Sequence, residues 1–394
     1  MTICFFSNIH ISKLRGGVER VTYTLSQTFK SRGYDIIMIS SIGPANGDTL
    51  QENQYVLPDR TTNSQKNIDF VSDLLKKHNI QIIINQSETQ SSQTLLKYFL
   101  GKYPIITCIH TDPLAPIKSI KDNWDLWRIQ EGNVRFIIKS PYYIARYLYQ
   151  QYTRRKYLKQ KYSKLYNECD AVVLLSKGFE RPFCKILGSK NTEKLYAIGN
   201  PNSFEEQNTL KVSHKENIVL FVGRLVFSPK RCDRILKIWK RVEKYAPDWN
   251  LIILGDGLDK DMFYALKENL GLKRVTFTGM VDPRPYYEKA TISCITSTHE
   301  GFSLAASESL QYGVIPIVFG SYEAINDIID DNKTGFIIKP FSTRNFSKTI
   351  LELIKNPMLL KTIQHNIATR KDKFDKNAIA NQWEELFYNL TNKH

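Results

Sequence analysis

"ISCITSTHEGFSLAASESLQYGVIPIV", residues 292–318, reads as strand, loop, helix, glycine stop and strand. A strand that leads through a helix into a second strand of the same kind is a βαβ unit, and such units build parallel sheets. Doubly wound parallel sheets bind ligands at the carboxyl ends of their strands, so the loop holding Glu300 is where chemistry is expected.

The same alternation extends in both directions. Strands are predicted at 2–7, 35–40, 81–85, 104–110 and 170–176, and again at 217–223, 250–255, 274–278, 291–297, 315–319 and 335–338. The pattern runs twice without a fixed-period repeat, and 394 residues are too many for one ordinary core. The break falls in "AIGNPNSFEEQNTLKVSHKEN", 197–217, where Gly, Pro, Asn, Ser and charges replace periodic apolar residues. The expectation is an α/β protein of two Rossmann-like doubly wound domains facing across a cleft, at 1–199 and 200–373. A terminal segment, 374–394, carries an amphipathic helix at 377–390.

The first residues lack the leader, apolar core and cleavage site of a signal peptide, and no stretch reaches the roughly 18 to 20 apolar residues of a membrane span. A cytoplasmic location is expected. Six cysteines are scattered without a C-x-x-C pair, which suggests neither a disulfide framework nor a zinc site.

The net charge of +16 is uneven, with 28 Lys and Arg against 16 Asp and Glu in residues 1–200 and 27 against 23 in the rest. The densest run, 128–164, has ten basic residues and one acid, Glu131, interleaved with Tyr142, Tyr143, Tyr147, Tyr149, Tyr152, Tyr157 and Tyr162. Basic residues mixed with tyrosine suit an anionic membrane surface. A nucleic-acid surface and a solvated helix face with tyrosines partly on the core are the competing readings.

Four motifs follow predicted strands. In "NIHISKLRGGVERVTYTLSQTF", 8–29, Gly16 and Gly17 let backbone approach a ligand at a helix start, where phosphate or sugar oxygens bind. In "IVLFVGRLVFSPKRCDRILKIW", 218–239, Gly223 and Arg224 end a strand and Lys230 precedes a helix; two cations six apart can clamp a diphosphate. In "LIILGDGLDKDMF", 251–263, Gly255 opens a turn that brings backbone to a nucleotide, whereas Asp259 and Asp261 read as helix-start acids rather than a metal-binding D-x-D. In the opening stretch, the amides of Gly301, Phe302, Ser303 and Leu304 start a helix, and Glu308 lies one to two turns in, able to accept from a ribose diol.

In order, "GGVER", "VGRL" with Lys230, "GDG", "TGMV" and "EGFSLAASE" resemble the signature set of retaining glycosyltransferases of the GT4 family with the GT-B fold. The resemblance implies a nucleotide-sugar held mostly by the C-terminal domain. It implies that Arg224 and Lys230 hold the diphosphate, that Glu308 binds the ribose, and that Glu300 lies near the donor sugar and its anomeric carbon. It further implies that Gly301 to Leu304 touch sugar and phosphate, that His110 bonds the donor sugar, and that Gly16 and Gly17 close over the phosphates. Met280 and Val281 fall where the base packs. The family is generally metal-independent, so no cofactor is implied. Lys230 is followed by Arg231 where the family often has glycine, and the loop "SKLRGGVER" carries extra charge.

The function these features imply is transfer of a hexose or N-acetylhexosamine from a nucleotide-sugar, with UDP as the base-rate nucleotide. The acceptor is a polyprenyl-diphosphate-linked glycan of a capsule, O-antigen or exopolysaccharide. The enzyme would sit peripherally at the inner face of the cytoplasmic membrane through 128–164, without binding nucleic acid. A sugar-nucleotide epimerase of the same fold, and a non-enzymatic nucleic-acid or lipid binder, are the alternatives.

Overall fold

Uninterrupted apolar runs such as Ile82 to Ile84 and Val172 to Leu174 are fully buried, as strands covered on both faces require. The computed structural model describes residues 1–12, 16–44, 48–202, 204, 215–370 and 373–392. Part of the charged loop before Gly16 and most of the expected linker, at 203 and 205–214, lie outside the described residues.

In chain order the first half forms β1 (Thr2–Ile9), α1 (Gly17–Ser31), β2 (Asp35–Ile42), β3 (Gln54–Val56), α2 (Gln65–Lys77), β4 (Ile80–Asn85), α3 (Gln90–Leu96) and β5 (Ile105–Ile109). It continues with α4 (Ala115–Glu131), α5 (Asn133–Ile138), α6 (Ser140–Asn167), β6 (Ala171–Leu174), α7 (Glu180–Leu187) and β7 (Leu195–Ala197). The second half forms β8 (Glu216–Val222), α8 (Cys232–Val242), β9 (Asn250–Leu254), α9 (Lys260–Leu270), β10 (Val275–Gly279), α10 (Arg284–Lys289) and β11 (Ala290–Ile295). There follow α11 (Leu304–Gln311), β12 (Ile315–Phe319), α12 (Ile325–Ile328), β13 (Phe336–Ile338), α13 (Thr343–Lys355), α14 (Pro357–Thr369) and α15 (Lys376–Thr391).

The strands make two parallel sheets, of seven strands in the order β3-β2-β1-β4-β5-β6-β7 and of six in the order β10-β9-β8-β11-β12-β13. The expected pair of doubly wound sheets is therefore present. Strand order reverses between β1 and β4 and between β8 and β11, the switch points at which ligands bind in this architecture.

The chain divides into two compact units: Met1–Pro113, Arg154–Ser203 and Asp372–His394 form one, and Leu114–Thr153 and Phe204–Lys371 the other. In the first unit α15 packs on α1. The Phe29 and Phe387 ring centroids are 5.4 Å apart, and Arg32 pairs with Glu384 at 2.8 Å. In the second, α8 buries Ile235, Leu236, Ile238 and Trp239 completely and turns Lys240 and Arg241 to solvent, the two faces its 3.6-residue pattern dictates. Each such buried aliphatic contributes about 1.5 to 3 kcal/mol. The stop expected after α11 is Gly313, at φ 67°.

Five of the six cysteines are buried, and burial pushes the Cys4 thiol up to about 12, so it packs as a small hydrophobe. Among the described residues no helix is long and apolar enough to cross a membrane.

Candidate functional site

The two central strands of the six-stranded sheet, β8 and β11, deliver the loops with Arg224 and Lys230 and with Glu300 to the same switch point. Lys230 Nζ donates to Glu300 Oε1 at 2.7 Å, and Ser297 Oγ donates to the same oxygen at 2.6 Å. The loop backbones are joined as well. Thr296 Oγ1 donates to the carbonyls of Lys230 and Arg231 at 3.1 and 3.0 Å, and the Thr298 amide donates to Pro229 O at 2.8 Å. Arg224 is exposed at the mouth of this arrangement.

Gly255 is fixed by close approach. At φ 136°, a Cβ there would sit 2.0 Å from the Gly223 carbonyl oxygen, so only glycine lets the β8 and β9 loops pass. Asp259 and Asp261 stand at the start of α9 as expected, and Asp259 has a further structural part. Its Oδ2 accepts from the Phe227 amide at 2.7 Å and braces the Arg224 loop, while it makes no side-chain cap to α9. Among the described residues no three His, Cys, Asp or Glu side chains gather as a metal-ligand set.

At the start of α11, Phe302 and Ser303 are buried, and the Leu304 amide turns back to the Phe302 carbonyl at 3.1 Å. Glu308 is also buried, and its Oε2 accepts from Tyr287 Oη at 3.1 Å. Tyr287 lies in α10 and stacks on Tyr312, a partnership with no trace in the sequence pattern. At the carboxyl ends of β9 and β10, Leu258, Met280 and Val281 are exposed, and the Gly255 amide donates to Gly279 O at 2.8 Å, tying the two loops together. Leu258 was absent from the expected base-packing pair, although its place beside "GDG" is a usable signal.

Lys230 owes its setting to its neighbour. Arg231, where the family often has glycine, takes φ 54° and ψ 50°, a left-handed backbone that a side chain rarely adopts. Its guanidinium is buried and donates to Asp122 Oδ1 at 2.6 Å, to Asp125 Oδ2 at 2.8 Å and to Asp233 Oδ1 at 2.9 Å, and it covers the Phe227 ring at 4.3 Å. Burial alone would lower its pKa; the hydrogen bond and charge of Asp233, with Asp122 and Asp125, raise it instead. Asp122, from α4, also accepts from Ser228 Oγ and Thr298 Oγ1, each at 2.8 Å. One buried carboxylate thus ties together both loops that carry Lys230 and Glu300.

In the other unit, Gly16 caps α1 at φ −57° and Gly17 begins the helix, whose first closing bond runs from the Arg20 amide to Gly16 O at 3.1 Å. His110 follows β5. Its Nε2 faces Gln86 Oε1, the carbonyl of a buried side chain just after β4, while its buried Nδ1 has no hydrogen-bond partner. A carbonyl partner requires the Nε2–H tautomer and leaves Nδ1 as an acceptor. Burial lowers the imidazole pKa to about 4, against a smaller opposing effect of Glu88. Gln86 was missed because a glutamine after a strand carries no motif.

The run 128–164 mixes two of its readings. Tyr143 and Tyr162 are buried, and Tyr143 stacks on Trp127 at 4.9 Å and on Phe136 at 5.4 Å. Glu131, its one acid, accepts from Lys139 at 2.8 Å and from Tyr143 at 2.9 Å, which holds it below the usual carboxylate range. Val134, Ile137 and Ile138 of α5 are instead 72%, 69% and 73% exposed.

The family profile "Glycosyl transferases group 1" matches residues 202–373, and "Glycosyltransferase Family 4" matches 15–206. An uncharacterized glycosyltransferase of Haemophilus influenzae is 27% identical over 221 residues, 55% of this chain and 61% of that protein. A Campylobacter jejuni alpha-1,4-N-acetyl-D-galactosaminyltransferase, named for a diNAcBac-PP-undecaprenol-linked acceptor, is 27% identical over 65% of this chain and 70% of its own. A Staphylococcus aureus poly(ribitol-phosphate) alpha-N-acetylglucosaminyltransferase is 26% identical over 56% and 44%. The first of these matches therefore spans about six tenths of the relative's length, and the third less than half. Among solved structures, Anabaena HepE in complex with UDP superposes at TM-score 0.73 with 17% identity, covering 99% of this chain and 100% of that one. The pneumococcal O-GlcNAc transferase GtfA with UDP and GlcNAc gives TM-score 0.73, 11% identity and 99% coverage of both chains. These two likenesses establish the fold.

Proposed function

The chain belongs to the glycosyltransferases of group 1 and family 4 with the GT-B fold, and from that premise we propose that it is a retaining transferase. It moves a hexose or N-acetylhexosamine from a nucleotide-sugar, first a UDP-sugar, to a growing lipid-linked glycan of a surface polysaccharide. The observation that carries the reading is the Lys230–Glu300 pair beside Arg224 at the switch point. It supports the reading because the reaction needs a cation for the charge that accumulates on the diphosphate and a carboxylate near the anomeric centre that becomes positive.

When the anomeric C–O bond breaks, its electron pair goes to the diphosphate oxygen. Arg224 and Lys230 lower the barrier by stabilising that charge, a role in which one preplaced donor is worth about 100-fold or more in rate. The acceptor hydroxyl attacks the same face, and its proton passes to an oxygen of the leaving diphosphate. Glu300 supports the oxocarbenium-like centre once the diphosphate has drawn Lys230 from it. Glu308, with Tyr287, receives the ribose hydroxyls, and Leu258, Met280 and Val281 offer apolar surface to the base. No metal takes part.

Attachment to the membrane is through 128–164. The exposed α5 residues Val134, Ile137 and Ile138, flanked by Arg135 and Lys139, favour an anionic bilayer over nucleic acid, because three protruding aliphatics insert into lipid and gain nothing from a phosphate backbone. The place of work is the inner face of the cytoplasmic membrane.

The test is nucleotide release from UDP-, GDP- and ADP-sugars, with and without a lipid-linked glycan extract and with and without EDTA. Release from one donor that needs the extract, survives EDTA and falls at least about 100-fold in Lys230→Ala and Arg224→Ala is the expected result. Near-normal turnover in both variants refutes the assignment of the cations, release that persists without any acceptor favours hydrolysis, and conversion of the donor with no net release favours epimerisation.

A further inference from the structure

Along the outer side of α8, Lys237, Lys240, Arg241 and Lys244 recur at spacings of three and four, so they share one helical face that runs just past the helix end. On α13, Arg344, Lys348 and Lys355 recur at four and seven. The two faces border a groove of about 1010 Å³ whose lining holds these seven basic residues and one carboxylate, Glu352. Among the described residues only Lys237 of the seven is ion-paired, to Asp233 at 2.9 Å. The nearby acid Glu243 is turned away, accepting the amides of Lys273 and Arg274.

Like charges at such spacings destabilise a helix, and a concave wall of one sign focuses its field into the groove. An anion that fills the groove removes this repulsion. The groove also carries an aromatic feature. Tyr245 is exposed, with Lys244 Nζ 5.5 Å and Lys355 Nζ 5.9 Å from its ring centroid. A ring held between two ammonium groups suits a ligand in which flat apolar faces alternate with anions. Arg241, which donates to Lys237 O at 3.3 Å and to Thr343 Oγ1 at 3.2 Å, is fixed as part of the wall.

The groove follows α13, about 20 Å long at 1.5 Å per residue, so its ligand is an extended chain rather than a single ion. A second hollow of about 750 Å³ shares Lys237 and is lined by Lys121, Arg128 and Arg234 and, next to Lys230, by Arg231 with the carboxylates Asp125 and Asp233 that hold it. The track therefore leads from the far end of α8 to the catalytic loop within one unit. A bilayer, being flat, does not enter a concave groove.

We propose that the α8–α13 groove binds an acidic glycan, a chain of pyranose units bearing carboxylate or phosphate groups, and holds it as the growing acceptor. The proposal rests on the transferase reading only for the word acceptor; the binding is independent of it. The probe is a fluorescently labelled uronate oligosaccharide of roughly ten units, compared with a neutral malto-oligosaccharide, a single-stranded RNA 20-mer and phosphatidylglycerol vesicles as competitors. The proteins are wild type, Lys240→Glu with Lys348→Glu, and Tyr245→Ala.

Expected are binding of the uronate chain but not of the neutral one, and a loss of at least about tenfold in the charge-reversed protein. Tyr245→Ala is expected to weaken binding as well, with UDP affinity unchanged in every variant. Uronate affinity that is unchanged by Lys240→Glu with Lys348→Glu overturns the proposal. RNA that binds more tightly than the uronate chain overturns it in favour of nucleic acid, and displacement of the chain by vesicles overturns it in favour of a lipid surface. Absence of extract-dependent nucleotide release in wild type is a failure of the transferase reading and leaves the binding result standing.

Discussion

Arg231 Nη1 lies 2.6 Å from Asp122 Oδ1, and both side chains are almost wholly buried. A buried pair is weak evidence of net stability, since its desolvation offsets its attraction, and here each member has other partners: Arg231 also holds Asp125 and Asp233, and Asp122 also accepts from Ser228 and Thr298. Asp122→Ala should destabilise the protein by about 1 to 3 kcal/mol in urea unfolding, because Ser228 and Thr298 lose their acceptor while Arg231 keeps Asp125 and Asp233. Arg231→Gly removes the cation and relaxes the left-handed backbone at once, so the double variant should be more stable than the sum of the singles by at least about 1 kcal/mol. Additive losses would show that the pair is not coupled.

For His110, the expectation is a neutral imidazole across the whole neutral range, titrating near pH 4 by NMR, with the proton on Nε2. The folded pKa lies below the ordinary histidine value of roughly 6.5. Its contribution to stability is then present above about pH 6.5 and is lost as pH falls through about 4. His110→Gln should flatten that acid limb of the stability curve. Gln86→Leu should free the tautomer and lower turnover about tenfold with little change in donor affinity; an unaltered NMR tautomer in that variant would remove Gln86 from the account.

Tyr287→Phe deletes one hydrogen bond to the Glu308 carboxylate and little else. A bond to a charged group contributes about 1.5 to 3 kcal/mol, and loss of orientation on this scale predicts at least tenfold weaker UDP binding by calorimetry. Glu308→Gln should weaken UDP binding more than it weakens binding of a deoxyribose analogue. Equal losses with the two ligands would take the ribose away from Glu308.

Membrane association should depend on apolar side chains as much as on charge. Ile137→Ser with Ile138→Ser should reduce sedimentation with phosphatidylglycerol vesicles severalfold while leaving turnover on a soluble acceptor intact. Reversing Arg154, Arg155 and Lys156 tests the electrostatic share, about 1 kcal/mol per residue near the surface. Vesicle binding that ignores both changes would exclude the run as the contact.

What could be read before folding was what repeats or recurs locally. The long buried strands announce themselves as apolar runs, and the loops carrying Arg224, Lys230 and Glu300 follow them. The edge strands Gln54–Val56 and Leu195–Ala197 were not expected, because neither has the pair of β-branched residues that marked the equally short Phe336–Ile338, and each is specified by its neighbour's ladder. The partners of the site escaped for a related reason. Asp122, Gln86 and Tyr287 lie 109, 24 and 21 positions from Arg231, His110 and Glu308, and only tertiary structure brings them near. The glycine replaced by Arg231 looked like a minor departure, and the compensating acid on α4 was invisible to any local pattern.

The packing of α15 on α1 also sets an order in time. The first sheet starts with Thr2–Ile9, but the helix that covers Phe29 is Lys376–Thr391, so strands made early wait for a helix made late. During synthesis the second unit, complete by residue 371, can finish before the first. The first sheet is thus closed after the second, and a chain arrested near residue 370 would carry a finished second unit while Phe29 was still uncovered.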